Sequence, residues 1–150
     1  MTPSGEDFLK WDSGPHQDRI LLFSTDDNLR ALKQSDHWFA DGTFKSSPIL
    51  FEQLFVIHGL KMDDVNVICV PLVYCLTGNR TTATYKRIWD KLKELESGLA
   101  PISIMSDYER ASLKGFSYAF PTAEQRGCFF HYRQANHRNM QSKLVNLDDC

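Results

Sequence analysis

The sequence lacks any uninterrupted apolar run near the roughly 18 residues that cross a bilayer, and it has no basic-then-apolar leader at its start. A soluble, intracellular protein with no membrane partner is therefore expected. It also lacks an excess of charge, with 17 Lys and Arg against 19 Asp and Glu, a net charge of -2. The chain as a whole is not marked as a nucleic-acid binder, so any DNA contact has to come from a local patch. Cysteine is scarce. Cys69 and Cys75 lie in one apolar run and read as small buried hydrophobes with reduced thiols, and Cys128 and Cys150 follow much later. There is no internal repeat and no low-complexity tract. What is present is enough for a core: 150 residues, 42% hydrophobic and 12% aromatic, fit one globular domain of ordinary size.

Residues 1–18 are polar and rich in Gly, Pro, Ser and Asp, and are expected to be a loose entry segment before a domain spanning 19–150. Residues 19–23 form a short strand-like run. Thr25 or Asp26 can cap a short helix carrying Leu29 and Leu32. Three strand-like blocks follow, at 37–44, 51–60 and 67–76. The third contains Pro71, which cannot donate to a ladder, so an edge or bulged strand is expected there. Residues 81–97 carry Tyr85, Ile88, Trp89, Leu92 and Leu95 at spacings of three and four, one apolar stripe of a helix. Thr81 or Thr82 suits its start, and Gly98 suits the left-handed position after its end. A strand at 101–105, a helix at 110–120 stopped by Pro121, a strand at 126–130 and a helix at 132–145 complete the pattern.

Short turns between the first three blocks imply an antiparallel meander, and the strand–helix alternation after them implies parallel strands with right-handed crossovers. The economical solution is an α/β fold: a mixed five-stranded sheet flanked by helices, with the first and fourth strands adjacent and parallel. This order is similar to the RNase H-like arrangement, whose third strand lies at the sheet edge, where Pro71 is tolerated.

Asp41 sits in an apolar strand among Trp38, Phe39, Ala40 and Phe44, and Asp107 ends the equally apolar ISIM. A carboxylate in such surroundings is costly unless it is paired or binds a metal. On adjacent parallel strands the two meet at one spot. Two oxygen donors suit Mg²⁺ or Mn²⁺, ions that serve phosphodiester chemistry. The plainer readings stay open: Asp41-Gly42 as a turn, and Asp107 as the cap of the helix that follows.

The segments W-F-A-D-G-T-F-K at 38–45 and I-M-S-D-Y-E-R-A at 104–111 resemble the first-acid and second-acid segments of Mutator-like element (MULE) transposases. G-C-F-F-H at 127–131 is similar to the Cys-x-x-His signature that follows them, and V-P-L-V-Y-C-L-T-G-N-R-T-T-A-T-Y to the third strand and next helix. The four motifs fall in the family's order, over about residues 19–145. The resemblance implies a DD(E/D) catalytic domain that cuts and joins DNA with a divalent metal, acts in the nucleus and admits a homo-oligomer. Asp41 and Asp107 match its first two catalytic acids. The third normally follows a helical insertion and is not identifiable. Asp148 and Asp149 lie too close to the Cys-x-x-His motif, and Glu109 lies only two residues after Asp107. The catalytic domain is therefore expected to be incomplete in this chain, and cleavage by these residues alone is not expected. The alternative is a domesticated or decayed domain that binds DNA or protein without catalysis.

Cys128 and His131 supply two ligands where a zinc site needs about four, with only His137 and Cys150 as loose additions, so zinc is disfavoured. An accessory role beside the active site is what the resemblance implies; a buried Cys and a helix-capping His is the plain alternative. From 127 to 147 there is no acid, while Arg133, Arg138 and Lys143 are basic and Arg126 precedes them. Their spacing makes no tight helical stripe. A solvated face is the first reading, and phosphate contact the second.

Overall fold

The structure is a computed structural model and describes residues 2–44, 47–62, 64–65, 67–107 and 109–127. Among the described residues, seven strands and three helices follow in the order β1 (Leu9–Asp12), β2 (Ile20–Phe23), α1 (Asp26–Gln34), β3 (His37–Thr43), β4 (Gln53–Met62), β5 (Val67–Thr77), α2 (Thr82–Leu95), β6 (Ser103–Ser106), α3 (Arg110–Ala119) and β7 (Glu124–Gly127). The strands make one sheet in the order β1-β2-β5-β4-β3-β6-β7. Every pairing from β1 to β3 across the sheet is antiparallel, and β3–β6 and β6–β7 are parallel. The meander followed by parallel strands is thus present, within a sheet of seven strands rather than five.

The helices start and stop where the sequence provides for it. The Thr25 hydroxyl accepts from the Asn28 amide at 3.0 Å, and that of Thr81 from Thr84 at 3.2 Å, each satisfying an otherwise orphaned helix-start donor. After α2, Gly98 takes φ +82°, a conformation that costs a residue without Cβ nothing. The buried sides of α1, α2 and α3 join alternate residues of the strands in a single core: Ile20, Leu22, Trp38, Ala40, Phe55, Ile57, Val73, Cys75 and Ile104 pack with Leu29, Leu32, Tyr85, Ile88, Trp89, Leu92 and Phe116. All three helices therefore cover one face. The intervening strand residues, among them Phe39, Asp41, Leu54, Val56, His58, Tyr74 and Met105, point to the opposite face and are half-buried.

Four expectations change. Part of the segment read as loose forms β1, which pairs with β2 and extends the sheet, and Asp12 accepts two hydrogen bonds from Arg19 there, at 2.9 and 2.6 Å. The strand carrying Pro71 is not a plain edge strand, because β2 pairs with its second half, from Tyr74 to Thr77. Pro71 lies outside that stretch, beside a register break at which Ile57 opposes Val73 and His58 opposes Pro71. The proline is thus accommodated by an open flank and a bulge within a strand that is otherwise interior. The last strand begins at Glu124 rather than at Arg126, and residues 128–130 lie outside the described residues. Cys75 is the free, fully buried thiol expected, whereas Cys69 is half-buried and disulfide-bonded. The expected helix at 132–145 lies outside the described residues.

Candidate metal centre

Three register pairs define the parallel contact between β3 and β6: His37 with Ser103, Trp38 with Ile104, and Phe39 with Met105. Each joins residues 66 apart in the chain, and 66 is also the separation of Asp41 from Asp107. Asp41 is on β3 and Asp107 one residue past the end of β6, two register steps beyond the last of these pairs. In-register neighbours on adjacent strands stand about 4.8 Å apart at Cα. Period-two alternation puts the Asp41 side chain on the face opposite the helices, because Trp38 and Ala40 enter the core. Asp41 is half-buried with its Oδ1 shielded from solvent, and Asp107 is half-buried as well. The bland reading of Asp41-Gly42 as a turn is excluded, since both lie within β3.

Asp107 does not cap α3. Glu109 is the N-cap residue, and its side chain makes no capping bond. The Asp107 Oδ1 instead accepts from the Glu109 amide at 3.3 Å, closing a short turn. The Glu109 carboxylate reaches back to α2, where the Tyr85 hydroxyl donates to Oε2 at 2.8 Å. That hydroxyl accepts from the Gln53 Nε2 of β4 at 2.9 Å. Arg80 lies 3.8 Å from Glu109 and 3.1 Å from Glu52, and its guanidinium sits 4.3 Å over the Phe44 ring. Burial drives the Tyr85 phenol far above its ordinary range, the Glu109 and Asp107 charges push the same way, and the Gln53 bond opposes them, so the hydroxyl keeps its proton. Burial likewise lowers the His58 imidazole, opposed by its bond to the Phe39 backbone and by the charge of Asp41.

The β3–β6 register runs from the paired residues toward Asp41 and Asp107, and other expected residues lie elsewhere. Arg126, opposite Met105 in β7, is exposed and paired with Glu124 at 3.0 Å. Cys128, His131, Arg133, Arg138 and Lys143, and with them Asp148 and Asp149, lie outside the described residues. Among the described residues no three His, Cys, Asp or Glu side chains gather as a metal site, and Glu109 is turned toward Tyr85. Sequence reasoning missed Gln53 and Tyr85. The signal for Gln53 was its place in step with Phe55 and Ile57 on the core side of β4. Tyr85 was hidden as one more member of an apolar stripe.

The family model for the MULE transposase domain matches residues 37–135, about two thirds of the chain, so the chain belongs to that family. The match begins with the strand that carries Asp41 and takes in Asp107. No curated protein matches the chain.

Proposed function

We propose that Asp41 and Asp107 together hold Mg²⁺ or Mn²⁺, and that the chain carries an RNase H-like catalytic domain, of transposase type, for cleavage and strand transfer of DNA. The carrying observation is the constant offset of 66 between β3 and β6, which is also the spacing of the two acids. The donor set fits the ion: two carboxylates offer hard oxygens from adjacent strands and leave room for the waters and phosphate oxygens that Mg²⁺ keeps. The placement fits a ligand, because the acids stand at the carboxyl ends of two parallel strands, where open α/β sheets bind theirs. The central strands β5-β4-β3-β6-β7, three antiparallel and then two parallel, support the RNase H-like reading.

When bound, a divalent ion supplies Lewis acidity toward phosphodiester oxygens and lowers the pKa of a coordinated water. Asp41 fixes its carboxylate from within a paired strand. Asp107 holds its own through the turn to Glu109, which leaves Oδ2 for a ligand. No third acid joins them among the described residues. Titration of the chain with Mn²⁺, followed by the loss of the free-ion electron paramagnetic resonance signal, tests the pair. Asp41→Asn and Asp107→Asn are each expected to weaken binding tenfold or more; equal affinity in all three proteins would sink the assignment.

A further inference from the structure

We propose that the buried relay Gln53–Tyr85–Glu109 sets the spacing of the two acid-bearing strand ends, which makes Gln53, Tyr85 and Glu109 positioning residues for Asp41 and Asp107. This rests on the metal-binding reading above.

The relay runs from beside one acid to beside the other. It starts at Gly42, the residue after Asp41: a Cβ on Gly42 would stand 2.5 Å from the Gln53 Oε1, so the amide lies directly on the β3 backbone. Gln53 is fully buried, and so is the Tyr85 side chain, against which the Phe55 ring stands edge-on at 5.3 Å. The relay ends at Glu109, whose amide closes the turn on Asp107. Its polarity is fixed by its own chemistry. The tyrosine hydroxyl has one proton and gives it to the Glu109 carboxylate, so it must accept from Gln53, and the Gln53 carbonyl is thereby directed at Gly42.

This arrangement is expensive as packing. A leucine at 53 and a phenylalanine at 85 would fill similar volume without burying polar atoms, and the Gln53 Oε1 has no hydrogen-bond partner. A hydrogen-bonded chain in apolar surroundings holds its members to one geometry more strictly than apolar contact does. The member that needs it is Asp107, which lies beyond the ladder of β6 and is tied by a 3.3 Å bond. Glu109 leaves the usual work of an N-cap side chain undone and makes this tie instead.

The test measures Mn²⁺ affinity and thermal unfolding side by side in the full chain. Tyr85→Phe and Gln53→Met are expected to weaken Mn²⁺ binding about tenfold, the scale on which supports of metal ligands act. Ile88→Val, which trims the core on the same helix, is expected to lower Tm without changing the affinity. Glu109→Ala should weaken binding as Tyr85→Phe does, and Glu109→Gln, which keeps an acceptor for the phenol, should weaken it less. Folded Tyr85→Phe and Gln53→Met proteins with wild-type affinity would overturn the relay while leaving the acid pair standing. Loss in both Glu109 variants as deep as in Asp107→Asn would overturn it too, by making Glu109 a ligand. If the wild type bound Mn²⁺ no better than Asp41→Asn, the acid pair and the relay would fall together.

Discussion

Gly115 lies in α3 where that helix crosses α2, and a Cβ built on it would stand 2.6 Å from the Cβ of Tyr85 and 3.3 Å from the Lys86 amide nitrogen. Neither is the loose end of a side chain, so Gly115→Ala must push the helices apart. Overpacking of this kind costs about 1–3 kcal/mol, against which alanine recovers about 1 kcal/mol of helix propensity. The variant is expected to be less stable by up to about 2 kcal/mol in urea unfolding; higher stability would show that the helices have slack. Glycine inside a helical stretch was readable as an irregularity, but its cause was not, because the clash involves a residue 30 positions away. The same holds for Gln53 and Tyr85: composition and period show which face a residue is on, and only the fold shows which polar atoms meet there. Asp41 and Asp107 stand out in the sequence because apolar flanks make a carboxylate conspicuous.

Among the elements, β1 was the least legible. It is 4 residues long, LKWD, inside a polar segment, and its pairing with β2 is not signalled by hydrophobic alternation. Part of what holds it is ionic. Two bonds from the Arg19 guanidinium, and then the Gly14 amide, keep the Asp12 carboxyl down at about 2. A carboxyl held below its unfolded value adds stability that is present above the ordinary carboxylate range and is lost as pH falls through 4 toward 2. Asp12→Asn is thus expected to lower Tm slightly at pH 7, by an amount that shrinks as pH drops from 5 toward 2. A deficit unchanged over that range would assign the effect to backbone geometry instead. The pair is solvent-exposed, which keeps the expected change small. Pro71 shows the converse limit. The rule that proline avoids an interior ladder position was legible and holds at the residue, but the strand escapes it by pairing with β2 only from Tyr74 onward. The edge placement therefore failed for the strand as a whole, and the bulge expected as its alternative is present at Pro71. The helices were legible almost to their ends, because caps, stripe and Gly98 all lie within the segments they define.

At the scale of the molecule, one face of the sheet carries the helices and the core, and the proposed site sets Asp41 and Asp107 side by side at the ends of β3 and β6. Two carboxylates at neighbouring register positions repel, and like charges directly opposite are destabilising in a sheet. A fold that keeps such a pair gives up stability for a ligand that compensates it. Asp107→Asn separates the two effects, since an asparagine oxygen can still accept from the Glu109 amide while the charge facing Asp41 is gone. In EDTA the variant is expected to melt above the wild type. Relief of a repulsion on the order of 1 kcal/mol, as for charges about 4 Å apart in a watery setting, corresponds to about 2–4 °C for a chain of this size. With Mn²⁺ at ten times its Kd the order reverses. The wild type gains about 1.4 kcal/mol by mass action, or about 3–6 °C, whereas the variant, having lost a ligand, gains little. Scanning calorimetry of both proteins with and without Mn²⁺ reads all four values. A variant less stable than the wild type in EDTA would mean that the two carboxylates do not face each other across β3 and β6. A variant that gains as much from Mn²⁺ as the wild type would mean that the ion binds elsewhere.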